Sequence, residues 1–98
     1  MVSAMADLLF HDRFRYPDGA ILEMKIWRVP VAVPGSGHDL KYSLFYGYPG
    51  RRVVGYDNER GKGDHCHRDG QEVPYRFTTV SALVADFLDD VRRARGET

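Results

Sequence analysis

The chain has one cysteine, no net charge and no long apolar run, and each shortage closes off a class of protein. Cys66 is the sole cysteine among 98 residues. It has no partner for an intramolecular disulfide, so a stapled secreted scaffold is excluded and a reducing compartment is expected. No apolar stretch approaches the roughly 20 residues that a membrane-spanning helix needs. Met1 to Asp7 lacks both the basic start and the apolar core of a signal peptide. These points together predict a cytoplasmic protein with no membrane partner. Fourteen Lys and Arg stand against fourteen Asp and Glu. That balance excludes a histone-like blanket of positive charge but leaves room for a local basic site.

What is present is globular material. The hydrophobic fraction is 43% and the charged fraction 29%, which sets aside disordered, collagenous and coiled-coil readings. Six tyrosines, five phenylalanines and one tryptophan supply enough bulk to close a small core. The length fits a single domain over 1–98, with an ordered core over 7–95 and short flexible ends expected.

Hydrophobic periodicity predicts five extended segments and one helix. Leu8 to Tyr16 alternates, with Leu8, Phe10, Phe14 and Tyr16 on one face and His11, Arg13 and Arg15 on the other. Pro17-Asp18-Gly19 is a turn, since proline fixes φ and glycine supplies a positive one. Ala20 to Val29 pairs back as a hairpin, with Leu22, Met24 and Ile26 facing the core. Trp27 falls on the opposite face, where it covers a second small core or marks an interface. Pro30 to His38 is a loop, and His11 and His38 read as surface residues. Leu40 to Tyr48 and Arg51 to Asn58 resume the strand pattern around a Pro49-Gly50 turn. Glu59 to Gly70 is polar and glycine-punctuated, hence loop-like, and Glu72 to Phe77 is a short strand whose Pro74 suggests an edge or bulge.

The last element is the clearest. Thr79 can cap a helix through its hydroxyl. Val80, Leu83, Val84, Phe87, Leu88 and Val91 then form one apolar stripe. Asp86, Asp89 and Asp90 take the wet side, Arg92, Arg93 and Arg95 suit the helix C-terminus, and Gly96 ends it. The predicted fold is α+β: an antiparallel meander sheet of four to five strands covered by one C-terminal amphipathic helix.

Functional groups gather in Tyr56 to Gly70. His65 and His67 stand two residues apart, near Arg60, Lys62 and Arg68. In an extended stretch alternate residues share a face, so both imidazoles point the same way. Imidazole titrates near neutral pH, so one ring can serve as base while the other serves as acid. Metal-independent cleavage of RNA needs that pair, with a cation on the crowded phosphate. The same His-x-His could bind a divalent metal with Asp64, Asp57 or Cys66, but the second Cys/His pair of a structural zinc site is absent and the neighbouring cations oppose it, so neither a metal nor another cofactor is expected. The segment also reads as a solvated loop, with Cys66 as a small core-facing spacer. Tyr42, Tyr46 and Tyr48 suit a core better than a base-stacking surface. From Arg51 to Arg76 six basic residues meet five acidic ones, a slight basic lean found nowhere else in the chain.

At this segment the sequence resembles a known family. Ala20 to Trp27, Val53 to His67 with its Tyr56-Asp57-Asn58 start and His-x-His end, Tyr75-Arg76-Phe77 and the Phe87-containing helix are similar to bacterial TumE-type toxins, over roughly Asp7 to Arg93. The resemblance implies the toxin of a toxin–antitoxin pair, acting on RNA and neutralised by a DNA-binding antitoxin encoded beside it. It transfers Tyr56, Asp57, Asn58, His65 and His67 as the family's polar motif. The leading expectation is an endoribonuclease in which His65 and His67 exchange protons, Asp57 fixes an imidazole tautomer and Tyr56 stacks or orients. Arg60, Lys62, Arg68 and Asn58 would hold the RNA phosphate. Two rivals stand beside it: a non-enzymatic module that docks a protein or ribosome through a sheet edge and Trp27, and a metal-dependent nuclease using the His-x-His pair. An unprotected strand edge leaves room for a homodimer.

Overall fold

The computed structural model describes residues 6–58 and 61–97. Within them run strands β1 (Asp7–Arg15), β2 (Ile21–Arg28), β3 (Leu40–Tyr48), β4 (Arg51–Asp57), β5 (His65–Arg68) and β6 (Gln71–Pro74), then helix α1 (Val80–Ala94). The strands form one antiparallel sheet in chain order. The α+β class and the C-terminal helix are as expected, but the sheet has six strands rather than four to five.

The extra strand is β5, carved from what reads as a loop. Asp69 and Gly70 both have positive φ, 52° and 77°, and Arg68 pairs with Gln71. That is the two-residue hairpin turn whose twist matches the flanking strands. The last strand also stops sooner than its sequence suggests, at Pro74, on the sheet edge where a missing N–H costs no ladder bond.

The core lies between the sheet and α1. Leu22, Met24 and Ile26 from β2, Tyr42, Leu44 and Tyr46 from β3, Val54 and Tyr56 from β4, and Cys66 from β5 meet Leu83, Phe87 and Val91 of the helix. Tyr42 and Tyr46 are therefore core residues, and Cys66 is the spacer that faces inward. Thr79 caps α1 by accepting from the Ala82 N–H at 3.0 Å. At the other end Arg95 lies 3.8 Å from the Tyr16 ring and donates to the Tyr46 hydroxyl at 2.9 Å. Asp90 departs from its expected place on the wet side. It is buried, with the Tyr56 hydroxyl 2.5 Å away and the guanidinium groups of Arg68 and Arg93 on its carboxylate.

Strand β1 also departs from expectation. All nine of its residues are exposed, Leu8 at 56% and Phe14 at 52%. A bulge between Leu8 and Phe10 breaks the alternation, so Leu8 pairs with Trp27 while Phe10 pairs with Ile26 on the other face. The helix packs most closely against β4, toward the other side of the sheet.

Candidate active site

The alternation of β5 decides where its side chains go. Cys66 enters the core, and His65 and His67 lie on the sheet face opposite the helix, His65 buried and His67 partly exposed. Their ring centroids are 5.2 Å apart. His65 pairs in register with Asp57 and His67 with Gly55, so β4 supplies the floor beside them. The cleft there, about 480 Å³, includes Lys41, Arg52, Asp57, Lys62, His65, His67 and Glu72 in its lining.

The two imidazoles meet different partners. On His65, Nδ1 lies 3.0 Å from the Gly63 carbonyl and Nε2 2.7 Å from Asp57 Oδ1. Both oxygens are acceptors, so each ring nitrogen of His65 faces a group that can take a hydrogen bond from it. On His67, Nδ1 lies 3.0 Å from Arg52 Nη2. A guanidinium only donates, so this nitrogen presents its lone pair and the proton sits on Nε2, 4.0 Å from Glu72 Oε1. Burial and then the Arg52 charge push the His67 pKa below the ordinary imidazole value, with Glu72 working the other way. One ring thus offers a proton and its neighbour a lone pair, which is what acid–base transfer requires.

Other expected site residues are placed elsewhere. Tyr56 is in the core, its hydroxyl donating to Asp90, where burial and that carboxylate raise its pKa. Arg68, next in line after His67, points to the helix face with Nε 3.2 Å from Asp90. Asn58 is buried and continues the β3–β4 ladder with its side chain: it accepts from the Tyr42 N–H at 2.9 Å and donates to the Leu40 carbonyl at 2.7 Å. None of the three reaches the histidine pair. Lys62 does line the cleft, with Nζ 3.8 Å from Glu72 Oε1. Arg60 lies outside the described residues.

Asp64 belongs to a separate cluster. Its carboxylate accepts from Ser36 at 2.6 Å, from His38 Nε2 at 2.7 Å and from the Tyr42 hydroxyl at 2.8 Å. Burial works against that charge, and the three donors outweigh it, so its pKa lies below the usual aspartate value. His38, expected as a lone surface residue, is stacked on Phe77 with centroids 4.0 Å apart. The hollow beside this cluster is about 510 Å³, but its polar groups are spent on one another and latch the two loops together.

Asp57, His65 and His67 offer donor atoms within 4.8 Å of one another. A cation there would meet the Arg52 guanidinium on His67 Nδ1, and the other two side chains are already closed on each other. Cys66 and Asp64, considered from sequence as further ligands, face the core and the latch. The donor set suits proton transfer and anion binding better than a metal.

Sequence reasoning overlooks Arg52. Strict alternation would put it on the same face as Val54 and Tyr56. A second bulge, between Tyr46 and Gly47, pairs Gly47 with Arg52 and turns the arginine onto the histidine face. Bulges re-aim side chains in this way beside functional sites. The only forewarning is Gly47 itself, where a Cβ would stand 2.2 Å from the Arg51 carbonyl oxygen.

A family model described as Toxin TumE matches residues 5–95. The chain belongs to the TumE toxin family. Membership in TumE makes it the toxin component of a toxin–antitoxin system, and a TumE toxin implies an antitoxin partner. No curated protein and no solved structure matches the chain. No helix among the described residues is long and apolar enough to cross a membrane.

Proposed function

We propose that this toxin is an endoribonuclease that works by proton exchange between His67 and His65, without a metal. The observation that carries the reading is the pair of adjacent rings lining one cleft, His65 buried against two proton acceptors and His67 partly exposed with its Nδ1 lone pair toward Arg52, among Lys41 and Lys62.

His67 Nδ1 takes the proton of a ribose 2′-hydroxyl. The 2′-oxygen attacks the adjacent phosphorus, and the bond to the 5′-oxygen breaks. That leaving oxygen takes the proton from His65 Nε2, competing for it with Asp57. The products are a 2′,3′-cyclic phosphate and a 5′-hydroxyl end. Lys62 and Lys41 face the phosphate charge, and Asp57 keeps the His65 ring oriented. On this reading the toxin acts in the cytoplasm, with a cognate DNA-binding antitoxin.

The test is cleavage of single-stranded RNA by purified toxin in excess EDTA. Expected are cyclic-phosphate ends and a rate lower by about 10²-fold or more in His67→Ala and in His65→Gln, with circular dichroism unchanged. Wild-type toxicity in the double variant at normal expression would remove the mechanism.

A further inference from the structure

We propose that Arg52 is the phosphodiester-binding group of the cleft and that it covers the lone pair of His67 until a phosphate draws it away. The proposal rests on the ribonuclease reading of the same site and adds how that site takes its substrate.

The backbone is arranged to put this guanidinium here. The bulge beside Gly47 turns Arg52 onto the histidine face. Its stem then crosses Gly55, where a Cβ would stand 2.6 Å from Arg52 Cδ. Gly55 is the residue opposite His67 in the ladder, so the missing side chain leaves a saddle that guides the arginine to the imidazole. The guanidinium ends 3.0 Å from His67 Nδ1 and 3.9 Å from Asp57 Oδ2, and the side chain is 43% exposed.

A neutral ring nitrogen is a modest acceptor for a guanidinium. A phosphodiester offers two anionic oxygens to its planar fork, a stronger and doubly bonded contact. A phosphate entering the cleft therefore wins Arg52 from His67. The exchange frees the lone pair at the moment the substrate arrives. It also removes a positive charge from the ring and brings a negative one, so His67 becomes a stronger base with substrate bound than without it. The groups facing that ring are Arg52 and Asp57 from β4, His65 on its own strand and Glu72 from β6. Lys41 and Lys62 line the same cleft. Among the described residues Arg52 is the one in hydrogen-bond contact with Nδ1.

NMR titration of the His67 ring in the full chain tests this, with inorganic phosphate and a 2′-deoxy dinucleotide as probes. In the wild type a saturating probe should raise the His67 midpoint. Arg52→Ala should raise it with no probe present and weaken probe binding about tenfold or more. Gly55→Ala fills the saddle and pushes the guanidinium aside without removing its charge. It should raise the midpoint while retaining more probe affinity than Arg52→Ala. In cleavage assays the acid limb of kcat/KM should move upward in Arg52→Ala, which a merely structural residue would not cause. A midpoint indifferent to both substitutions, or probe binding to Arg52→Ala as tight as to wild type, overturns the proposal. The shifts in a protein that cleaves no RNA would support the phosphate site and sink the reaction. Cleavage with an unmoved pH profile in Arg52→Ala would do the reverse.

Discussion

The Tyr56 hydroxyl meets Asp90 inside the core, and Arg68 and Arg93 complete the shell of that carboxylate. Removing the hydroxyl takes away one charge-assisted bond to a buried carboxylate. Tyr56→Phe should therefore cost about 2 kcal/mol of stability, measured by urea unfolding, and leave RNA cleavage at the wild-type rate. A large loss of cleavage in a stably folded variant would place the residue in the reaction after all. The conspicuous Tyr56-Asp57-Asn58 run thus divides three ways: into the core, onto the histidine face and into the end of the ladder. Once His65 to Arg68 is taken as extended, alternation along β4 and β5 gives the placement of Asp57, His65, Cys66 and His67. Arg52 is not legible, because one inserted residue reverses the parity on which such reasoning depends.

The hairpin of β5 and β6 carries the candidate site, and its turn is made by Asp69 and Gly70 at positive φ. A β-branched residue is strained in that region of backbone space. Gly70→Val should lower stability by about 1–2 kcal/mol and reduce RNA cleavage, because it loosens the strand that presents both imidazoles. Asp69→Asn, which tolerates the same backbone, should be close to neutral in both urea unfolding and activity. Asp-Gly was the available sign of this hairpin. It is easily passed over because His65–Arg68 has no β-branched residue and only four residues in which to show a period. The helix is the opposite case: fifteen residues with a continuous stripe leave one reading. That stripe does not reveal that Asp90 is buried, since the partners that satisfy it, Tyr56 and Arg68, come from distant strands.

Across the whole molecule, the loop after β2 and the loop before β5 are joined through Asp64, which holds Ser36, His38 and Tyr42 at once. Its folded-state pKa lies below the unfolded value. The stability it contributes is therefore present above the unfolded aspartate range and is lost as pH falls through the folded pKa. His67 acts in the same direction at higher pH. Its depressed pKa means protonation is less favourable in the folded chain, so stability declines as pH falls through the ordinary imidazole range. Thermal unfolding should show both declines. Asp64→Asn should be less stable by about 2 kcal/mol at pH 7 and should flatten the more acidic of them. The α+β class was legible because each strand and the helix carry their own pattern. The bare β1 was not: a fifteen-residue helix is about 22 Å long, and no single strand's sequence shows how much of a six-stranded sheet such a helix can cover. Cys66 has one more consequence at this scale. Its sulfur is sealed on the reverse side of the strand that bears both imidazoles. A thiol-reactive dye reaches it only when β5 lifts away from the core, so the labelling rate of the native chain is a clock for the opening of the segment that bears the candidate site.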